Sequence, residues 1–267
     1  MLLKRTPAVI GIAISLLSTA GTGTAAAPVT VHVAGDSTAS TYTSALAPRA
    51  GWGQALPAFF SHRVVTANEA LSGASSKSFV DLGRLDRVLS KVKRGDHLLI
   101  SFGHNDQKKE DPARYTEPST TYKAYLSQYI DRSRAKGAKP VLVTSVERRR
   151  FTSTGAAAPS HGAYPAAMRE LAAAKGVPLI DLTASSTALW NRAGVEGTKK
   201  YFLHLPAGPW PHYPDGVEDN THFQAAGAIE VARLVATALR DQRLLPPASF
   251  RRLTAQVPAS AIVWPKA

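Results

Sequence analysis

The chain has 267 residues, which is enough to bury a sizeable core and favours one large domain over two small ones. It contains no cysteine, so disulfides, cysteine nucleophiles and thiolate metal sites are excluded. The formal net charge of +13 would attract polyanions, but the basic residues are scattered, apart from 148–150 and 251–252, and do not alternate with aromatic residues, so we expect no nucleic-acid partner.

The amino terminus has the pattern of a secretory signal peptide. Lys4 and Arg5 precede an apolar stretch at residues 8–17, and alanines at 25–27 offer a cleavage site. The apolar run is short for a bilayer span, although a membrane anchor stays the alternative, and no later stretch is apolar enough to cross a membrane. We therefore predict a signal peptide at residues 1–27 and a secreted protein with no membrane partner. Removal of this segment takes away Lys4 and Arg5 and no acidic residue, which lowers the formal charge from +13 to +11.

After this segment, apolar runs alternate with amphipathic stretches, a pattern typical of a parallel sheet with helices on both faces. We predict an α/β fold with a five-stranded parallel sheet. The strands are placed at residues 29–34, 63–67, 97–102, 140–144 and 178–181. The helices between them are placed at residues 51–60, 79–91, 121–136 and 163–175.

The carboxyl-terminal third is less regular. We predict a last helix from near His222 to about residue 239, with Thr221 and Gln224 in capping-box spacing. Residues 194–218 form a long loop rich in Gly, Pro and aromatic residues, which we expect to be ordered and suited to sugar stacking. The other irregular segments are an insertion at 152–161 and a tail at 246–267, which follows a single predicted domain at 28–245.

Three residues have the types needed for serine-based acyl transfer. Ser37 follows the first strand, at the carboxyl edge where open α/β sheets bind ligands, although Gly-Asp-Ser alone often forms only a turn. Asp219 and His222 are three residues apart, so the carboxylate can orient an imidazole that takes the Ser37 proton. On the first turn of a helix, His222 would also be biased toward its neutral form by the helix end and toward the cation by Asp219.

Four short blocks occur in one order along the chain: Gly35-Asp36-Ser37, Gly73, Gly103-His104-Asn105-Asp106 and Asp219-Asn220-Thr221-His222. In this order the chain resembles the SGNH (GDSL) hydrolases. Gly51-Trp52-Gly53-Gln54, Gln107, Phe223 and Gly227-Ala228 resemble the rhamnogalacturonan acetylesterase branch of that superfamily. The resemblance implies a flavodoxin-like three-layer α/β/α sandwich.

The resemblance also assigns roles to individual residues. It implies that Ser37, Asp219 and His222 are catalytic, and that the oxyanion donors are the amides of Ser37 and Gly73 and the side chain of Asn105. It implies no cofactor and no metal. We interpret His104 and Asp106 as structural supports rather than metal ligands, because the sequence offers no further ligand cluster.

The resulting functional hypothesis is a secreted, monomeric carbohydrate O-acetylesterase. Its substrate is an acetylated polysaccharide or oligosaccharide of the plant cell wall, with rhamnogalacturonan (pectin) preferred. Acetylated xylan or a small acetylated compound is the alternative within the same fold, and a non-catalytic polyanion-binding module is the alternative from another class. A conventional α/β-hydrolase is disfavoured because the sequence has no Gly-x-Ser-x-Gly elbow.

Overall fold

A parallel sheet forms the centre of the protein. The computed structural model describes residues 1–3 and 27–267, so nearly all of the predicted signal peptide lies outside the described residues. Five parallel strands follow the order β3-β1-β4-β5-β6, and the predicted fold class is confirmed. Their bounds are β1 Val29–Gly35, β3 Val64–Asn68, β4 His97–Ser101, β5 Lys139–Val143 and β6 Leu179–Ile180.

Each face of this sheet is covered by its own hydrophobic core, as expected for a parallel sheet. Alternate residues of one strand point to opposite faces, so Leu99 joins one core while Leu98 and Ile100 join the other. The helices are α1 Trp52–Ala55, α2 Ser76–Asp81, α3 Arg84–Lys91, α4 Lys123–Ala135, α5 Tyr164–Lys175, α6 Leu182–Gly197 and α7 Ala225–Asp241. Helices α1, α6 and α7 pack on the first core, and α2 to α5 pack on the second.

Several predicted helix bounds differ from the structure. The predicted helix at 79–91 is broken into α2 and α3, because Gly83 adopts a left-handed conformation with φ of 66°. The predicted helix at 51–60 is a short α1 followed by a 3₁₀ turn at Leu56–Phe59. Helix α6 was not predicted: its sequence contains many Ser and Thr residues with low helix propensity, and burial of Trp190 against the core stabilises it instead.

A second, antiparallel sheet was also missed. It has the order β2-β8-β7, with β2 Arg49–Ala50, β7 Phe202–Leu205 and β8 Val217–Gln224. The predicted helix start near His222 is therefore wrong. His222 lies in β8, which pairs with β2 and β7, and α7 begins only at Ala225. Gln224 makes no side-chain cap on α7, so the predicted capping box with Thr221 does not form.

The tail at 246–267 packs against the domain. Val257 and Ile262 are buried in the core beneath α7. The indole of Trp264 donates to the Arg49 carbonyl at 3.0 Å, and the amide of Gln54 donates to the Val263 carbonyl at 2.8 Å. Within residues 1–3 and 27–267, no helix is both long enough and apolar enough to cross a membrane.

Candidate active site

Ser37, His222 and Asp219 form one continuous chain of hydrogen bonds. Nε2 of His222 lies 2.9 Å from Oγ of Ser37, and Nδ1 of His222 lies 2.6 Å from Oδ2 of Asp219. Ser37 directly follows β1, at the carboxyl edge of the parallel sheet, and His222 belongs to β8 of the second sheet. The two sheets thus supply opposite halves of the candidate site, from residues 185 positions apart in the chain.

A bulge in β8 lets Asp219 and His222 meet. In a regular strand, side chains three positions apart point to opposite faces. Phe202 and Leu203 are adjacent in β7 but pair with Phe223 and Asp219, so residues 220–222 form an irregularity in the ladder. Such a bulge changes the direction of side chains, and here it brings the carboxylate to the imidazole. The spacing of three was therefore informative, although the helix inferred from it does not exist.

The bulge is held by contacts from outside β8. The backbone N–H of Arg149 donates to the Asn220 carbonyl at 2.8 Å, and the Arg149 guanidinium donates to Oδ1 of Asn220 at 3.2 Å. Nε2 of His204 lies 2.9 Å from the same Oδ1 atom. Arg149, which belongs to the basic run at 148–150, thus supports the predicted acid–base pair.

The environment of Asp219 keeps its carboxylate ionised. Burial raises the pKa of Asp219. The hydrogen bond to His222, the charge of His222 and the backbone N–H groups of His222 and Thr221 outweigh burial and lower the pKa to about 2. Those backbone groups donate to Oδ1 at 3.0 and 2.7 Å. An ionised Asp219 accepts a hydrogen bond from Nδ1–H of His222, which leaves Nε2 without a proton and able to accept the Ser37 proton.

Three donors are available for a developing negative charge next to Ser37. The backbone N–H groups of Ser37 and Gly73 make no hydrogen bond with any residue that the structure describes. Asn105 uses one N–H of its side-chain amide to donate to the Ala74 carbonyl at 2.9 Å, which leaves its second N–H available. Gly73 has φ of 80°, a left-handed conformation that favours glycine at this turn.

Asp36 and His104 join the first and third blocks beneath the nucleophile. Nδ1 of His104 lies 3.2 Å from Oδ2 of Asp36, and both side chains are buried. Oδ1 of Asp36 accepts from the backbone and the hydroxyl of Thr38 at 2.8 and 2.7 Å. Burial raises the pKa of Asp36, but the charge of His104 and the two Thr38 donors lower it below its usual value. The pair fixes the turn that carries Ser37.

Asp106 anchors the loops around the oxyanion donors. Its buried carboxylate accepts from the backbone and hydroxyl of Ser76 at the start of α2, and from the Thr116 hydroxyl at 3.0 Å. Burial raises the pKa of Asp106 to about 7, although these hydrogen bonds oppose the shift. His104 and Asp106 thus make supporting contacts. In the described part of the chain, no group of three or more His, Asp or Glu side chains is arranged to hold a metal ion.

The insertion at 152–161 ends beside the same region, a contact that no sequence motif indicated. Its last residue, His161, is 1% exposed and lies edge-on to His104 with ring centroids 4.4 Å apart. His161 donates from Nε2 to the Val146 carbonyl at 2.8 Å and accepts at Nδ1 from Gln107 at 3.1 Å. Burial holds the pKa of His161 well below its usual range, so it is a neutral packing partner of His104.

The Gly-Trp-Gly-Gln motif packs α1 against the segment that follows Ser37. A Cβ added at Gly51 would lie 2.3 Å from the Ser40 carbonyl oxygen, and one at Gly53 would lie 2.5 Å from the Ala39 carbonyl oxygen. Gln54 accepts from the N–H of Tyr42 at 3.1 Å and donates to its carbonyl at 3.1 Å. These close contacts explain why glycine is needed at both positions.

A groove of about 630 Å³ begins at the second block and extends along α2. Leu71 and Leu82 supply apolar lining, Lys77 and Arg114 supply positive charge, and Asp81 and Asp111 supply negative charge. The Arg114 guanidinium donates to the Gly73 carbonyl at 3.5 Å, which places it beside a predicted oxyanion donor. By contrast, Phe202 from the aromatic segment at 194–218 is fully buried against Trp190 and Phe223, so this ring is part of the core and is not available to stack on a sugar.

Comparison with known proteins identifies the family. A model described as the GDSL-like lipase/acylhydrolase family matches residues 33–228. The chain belongs to this family. The predicted resemblance and the predicted enzyme class, an ester hydrolase related to the carbohydrate acetylesterases, are confirmed.

Two similar proteins are named as rhamnogalacturonan acetylesterases, one of them as probable. The chain is 46% identical over 214 residues to the rhamnogalacturonan acetylesterase RhgT of Bacillus subtilis, a match that covers 80% of this chain and 90% of that protein. It is 40% identical over 211 residues to the probable rhamnogalacturonan acetylesterase YesY of the same organism, with 79% and 92% covered.

Two solved structures have a similar fold. The crystal structure of the Bacillus subtilis protein YxiM matches with a TM-score of 0.68 and 30% identity, over 81% of this chain and 57% of that one. The chain therefore spans little more than half of that protein. An acetylxylan esterase from Geobacillus stearothermophilus matches with a TM-score of 0.52 and 15% identity, over 80% and 94% of the two chains, which shows the fold alone.

Proposed function

We propose that this protein is a serine O-acetylesterase that removes acetyl groups from rhamnogalacturonan. The observation that carries the proposal is the hydrogen-bonded chain from Ser37 through His222 to Asp219. The names of the two Bacillus subtilis relatives supply the substrate class. Ser37 is the nucleophile, His222 the general base and acid, and Asp219 the carboxylate that orients it.

The reaction follows from this geometry in two stages. Oγ of Ser37 attacks the acetyl carbonyl while Nε2 of His222 takes its proton, and the oxyanion is bound by the amides of Ser37 and Gly73 and by Asn105. The tetrahedral intermediate collapses, and the sugar oxygen leaves with the proton held by His222. Water then attacks the acetyl-enzyme with His222 as base, which releases acetate and restores Ser37.

The groove beside Gly73 is the proposed place for the sugar chain. It begins at an oxyanion donor, so a substrate whose acetyl carbonyl is bound there extends naturally along α2. Arg114 and Lys77 line this groove and can contact the carboxylates of galacturonate units, although Arg114 also pairs with Asp111. The two cations and the carboxylates of Asp81 and Asp111 balance, so the pectic assignment rests on the names of the relatives.

We also propose that the protein is secreted. The proposal rests on the basic residues Lys4 and Arg5 ahead of the apolar stretch at 8–17. A pectic polymer is extracellular and too large to enter a cell intact, so a secreted enzyme suits that substrate. Amino-terminal sequencing of the protein recovered from culture medium tests the proposal, which predicts a mature chain that starts close to residue 28.

Acetate release from a panel of substrates tests the proposed function. We expect the highest kcat/KM on acetylated rhamnogalacturonan, with lower values on acetylated xylan and on aryl acetates. Ser37→Ala is the matched inactive control for every substrate. Equal or higher kcat/KM on acetylated xylan would overturn the pectic assignment, and no release from any ester would overturn the proposed chemistry.

A further inference from the structure

A second cleft lies at the opposite edge of the parallel sheet, and we call it the amino-edge cleft. It has a volume of about 340 Å³ and is lined by the starts of β4 and β5 and by the segment after α7. Its polar lining residues are His97, Arg134, Lys139 and Arg243. The five residues of β4 separate it from the third block by roughly 16 Å, so it is distinct from the candidate active site.

The charge of this cleft is one-sided. Arg134, Lys139 and Arg243 line it, and no acidic residue does so among residues 1–3 and 27–267. None of these three cations forms an ion pair with a residue in the described ranges. The nearest acid in sequence, Asp96, accepts from the backbones of Thr30 and Lys93 instead. Arg134 donates to the carbonyls of Lys175 and Gly176 at the end of α5, so Lys139 and Arg243 supply the uncompensated positive charge of the cleft.

His97 supplies an independent sign of a missing ligand. It is only 2% exposed, yet neither ring nitrogen makes a hydrogen bond with any residue that the structure describes. The backbone of Leu244 lies close to the ring without hydrogen-bond geometry. Burial first and the charge of Lys139 second lower the pKa of His97, and the charge of Asp96 offsets this only in part. A buried polar group without a partner is unusual and calls for an explanation.

Arg243 occupies a backbone position that favours glycine. It follows the end of α7 with φ of 54°, in a left-handed conformation. The N–H of Leu244 donates to the Leu239 carbonyl at 2.9 Å, which is the pattern of a helix end that normally carries glycine at this position. Arginine has a conformational cost at this position, which glycine would avoid.

We propose that the amino-edge cleft is a second binding site, for the carboxylate or phosphate group of an anionic ligand. Arg243, Arg134 and Lys139 neutralise the anion, and a ring N–H of His97 donates to one of its oxygens. The volume is within the range of roughly 300–1,000 Å³ that small-molecule sites occupy. A monosaccharide acid or a single acidic unit of a polymer has the required chemistry, and so has inorganic phosphate.

A pair of matched variants tests this proposal. Arg243→Gly removes one charge and relieves the left-handed backbone, so this variant should fold at least as well as the wild type. Arg252→Gly is the matched control. It also removes one charge and relieves a left-handed backbone, since Arg252 has φ of 56°, but Arg252 does not line the cleft. Binding of inorganic phosphate, galacturonate and galactose is measured by calorimetry at constant ionic strength, with aryl acetate turnover followed in parallel.

We expect saturable binding to the wild type and to Arg252→Gly, with affinity for the anion weakened by roughly ten-fold to a hundred-fold in Arg243→Gly. Turnover of the aryl acetate should not change with either substitution. Binding of galacturonate but not galactose assigns the site to a sugar carboxylate, and binding of phosphate alone assigns it to a phosphate group. No saturable binding of any anion, equal affinities in the two variants, or competition by the anion with aryl acetate would each overturn the proposal.

Discussion

The side-chain amide of Asn105 donates a 2.9 Å hydrogen bond to the carbonyl oxygen of Ala74. This contact joins the third block to the loop that carries Gly73, so two of the three proposed oxyanion donors are positioned relative to each other. Asn105 is 6% exposed, and this bond restricts the rotation of its amide. The second N–H of that amide is then oriented before substrate arrives, which is what an oxyanion donor needs.

Replacement of Asn105 by alanine should therefore lower kcat by about a hundred-fold to a thousand-fold. KM should change little, because the hydrogen bond strengthens mainly as the carbonyl becomes an oxyanion. Steady-state kinetics on an aryl acetate measure both constants. A variant with unchanged kcat and raised KM would make Asn105 a substrate-positioning residue instead.

Ser37→Ala should abolish ester hydrolysis without loss of the fold, because it removes only one hydroxyl group. His222→Ala should lose about as much activity, since triad members act as a unit and individual losses reach about a million-fold in the best-studied serine hydrolase. Acetate release and thermal unfolding are measured for both variants. Near wild-type turnover by Ser37→Ala would show that another residue is the nucleophile.

The central sheet and the first-strand serine were accessible from sequence because both depend on local patterns. Strands such as β4 are buried on both faces and read as continuous apolar runs. Strand β8 has no such run: its burial alternates irregularly, and its pairing with Ala50 joins residues more than 170 positions apart. Its bulge and its contact with Arg149 depend on tertiary structure, so the sequence located His222 and Asp219 but assigned them to the wrong element.

Asp106 should make the protein less stable as pH rises toward neutrality. Its folded pKa of about 7 is above the ordinary value of 3.8, so the folded state binds more protons than the unfolded state between these values. The free energy of unfolding is therefore highest at low pH within this window and falls as pH rises through 7. Linkage gives a loss of about 2 kcal/mol between pH 5 and pH 7.5 from this residue.

Urea unfolding of the wild type and of Asp106→Asn at pH 5 and pH 7.5 measures this effect. The asparagine variant should lack this pH-dependent loss, while titration of the histidines contributes equally to both proteins and cancels in the comparison. An identical pH dependence in the two proteins would show that Asp106 is not perturbed in this way.

Arg114 should matter for acidic substrates only. It lines the groove beside Gly73, and although its Nε donates to Asp111, its terminal N–H groups can contact a galacturonate carboxylate, a contact that Arg114→Gln removes. We expect KM for acetylated rhamnogalacturonan to rise by roughly ten-fold, the usual cost of one charged hydrogen bond, with kcat nearly unchanged. Kinetics on a neutral aryl acetate provide the control, and an equal rise in KM there would indicate a general disturbance of the groove.

Salt should separate acidic from neutral substrates through the net charge of the whole protein. Without Lys4 and Arg5 the formal charge is +11, reduced from +13, which should accelerate encounter with a pectic polyanion. This gain should fade as the screening length falls from about 30 Å at low ionic strength to about 8 Å near physiological strength. Acetylated xylan and aryl acetates experience no such attraction.

The comparison must use kcat/KM, because steering acts on association and saturating substrate hides it. For acetylated rhamnogalacturonan, kcat/KM should decrease steeply with added sodium chloride, while the value for acetylated xylan should stay nearly constant over the same range. The Arg252→Gly variant, which lowers the charge by one outside the groove, should show a slightly weaker salt response. The same salt response for both polymers would remove the electrostatic support for pectin and leave the substrate assignment to the similarity with the Bacillus relatives.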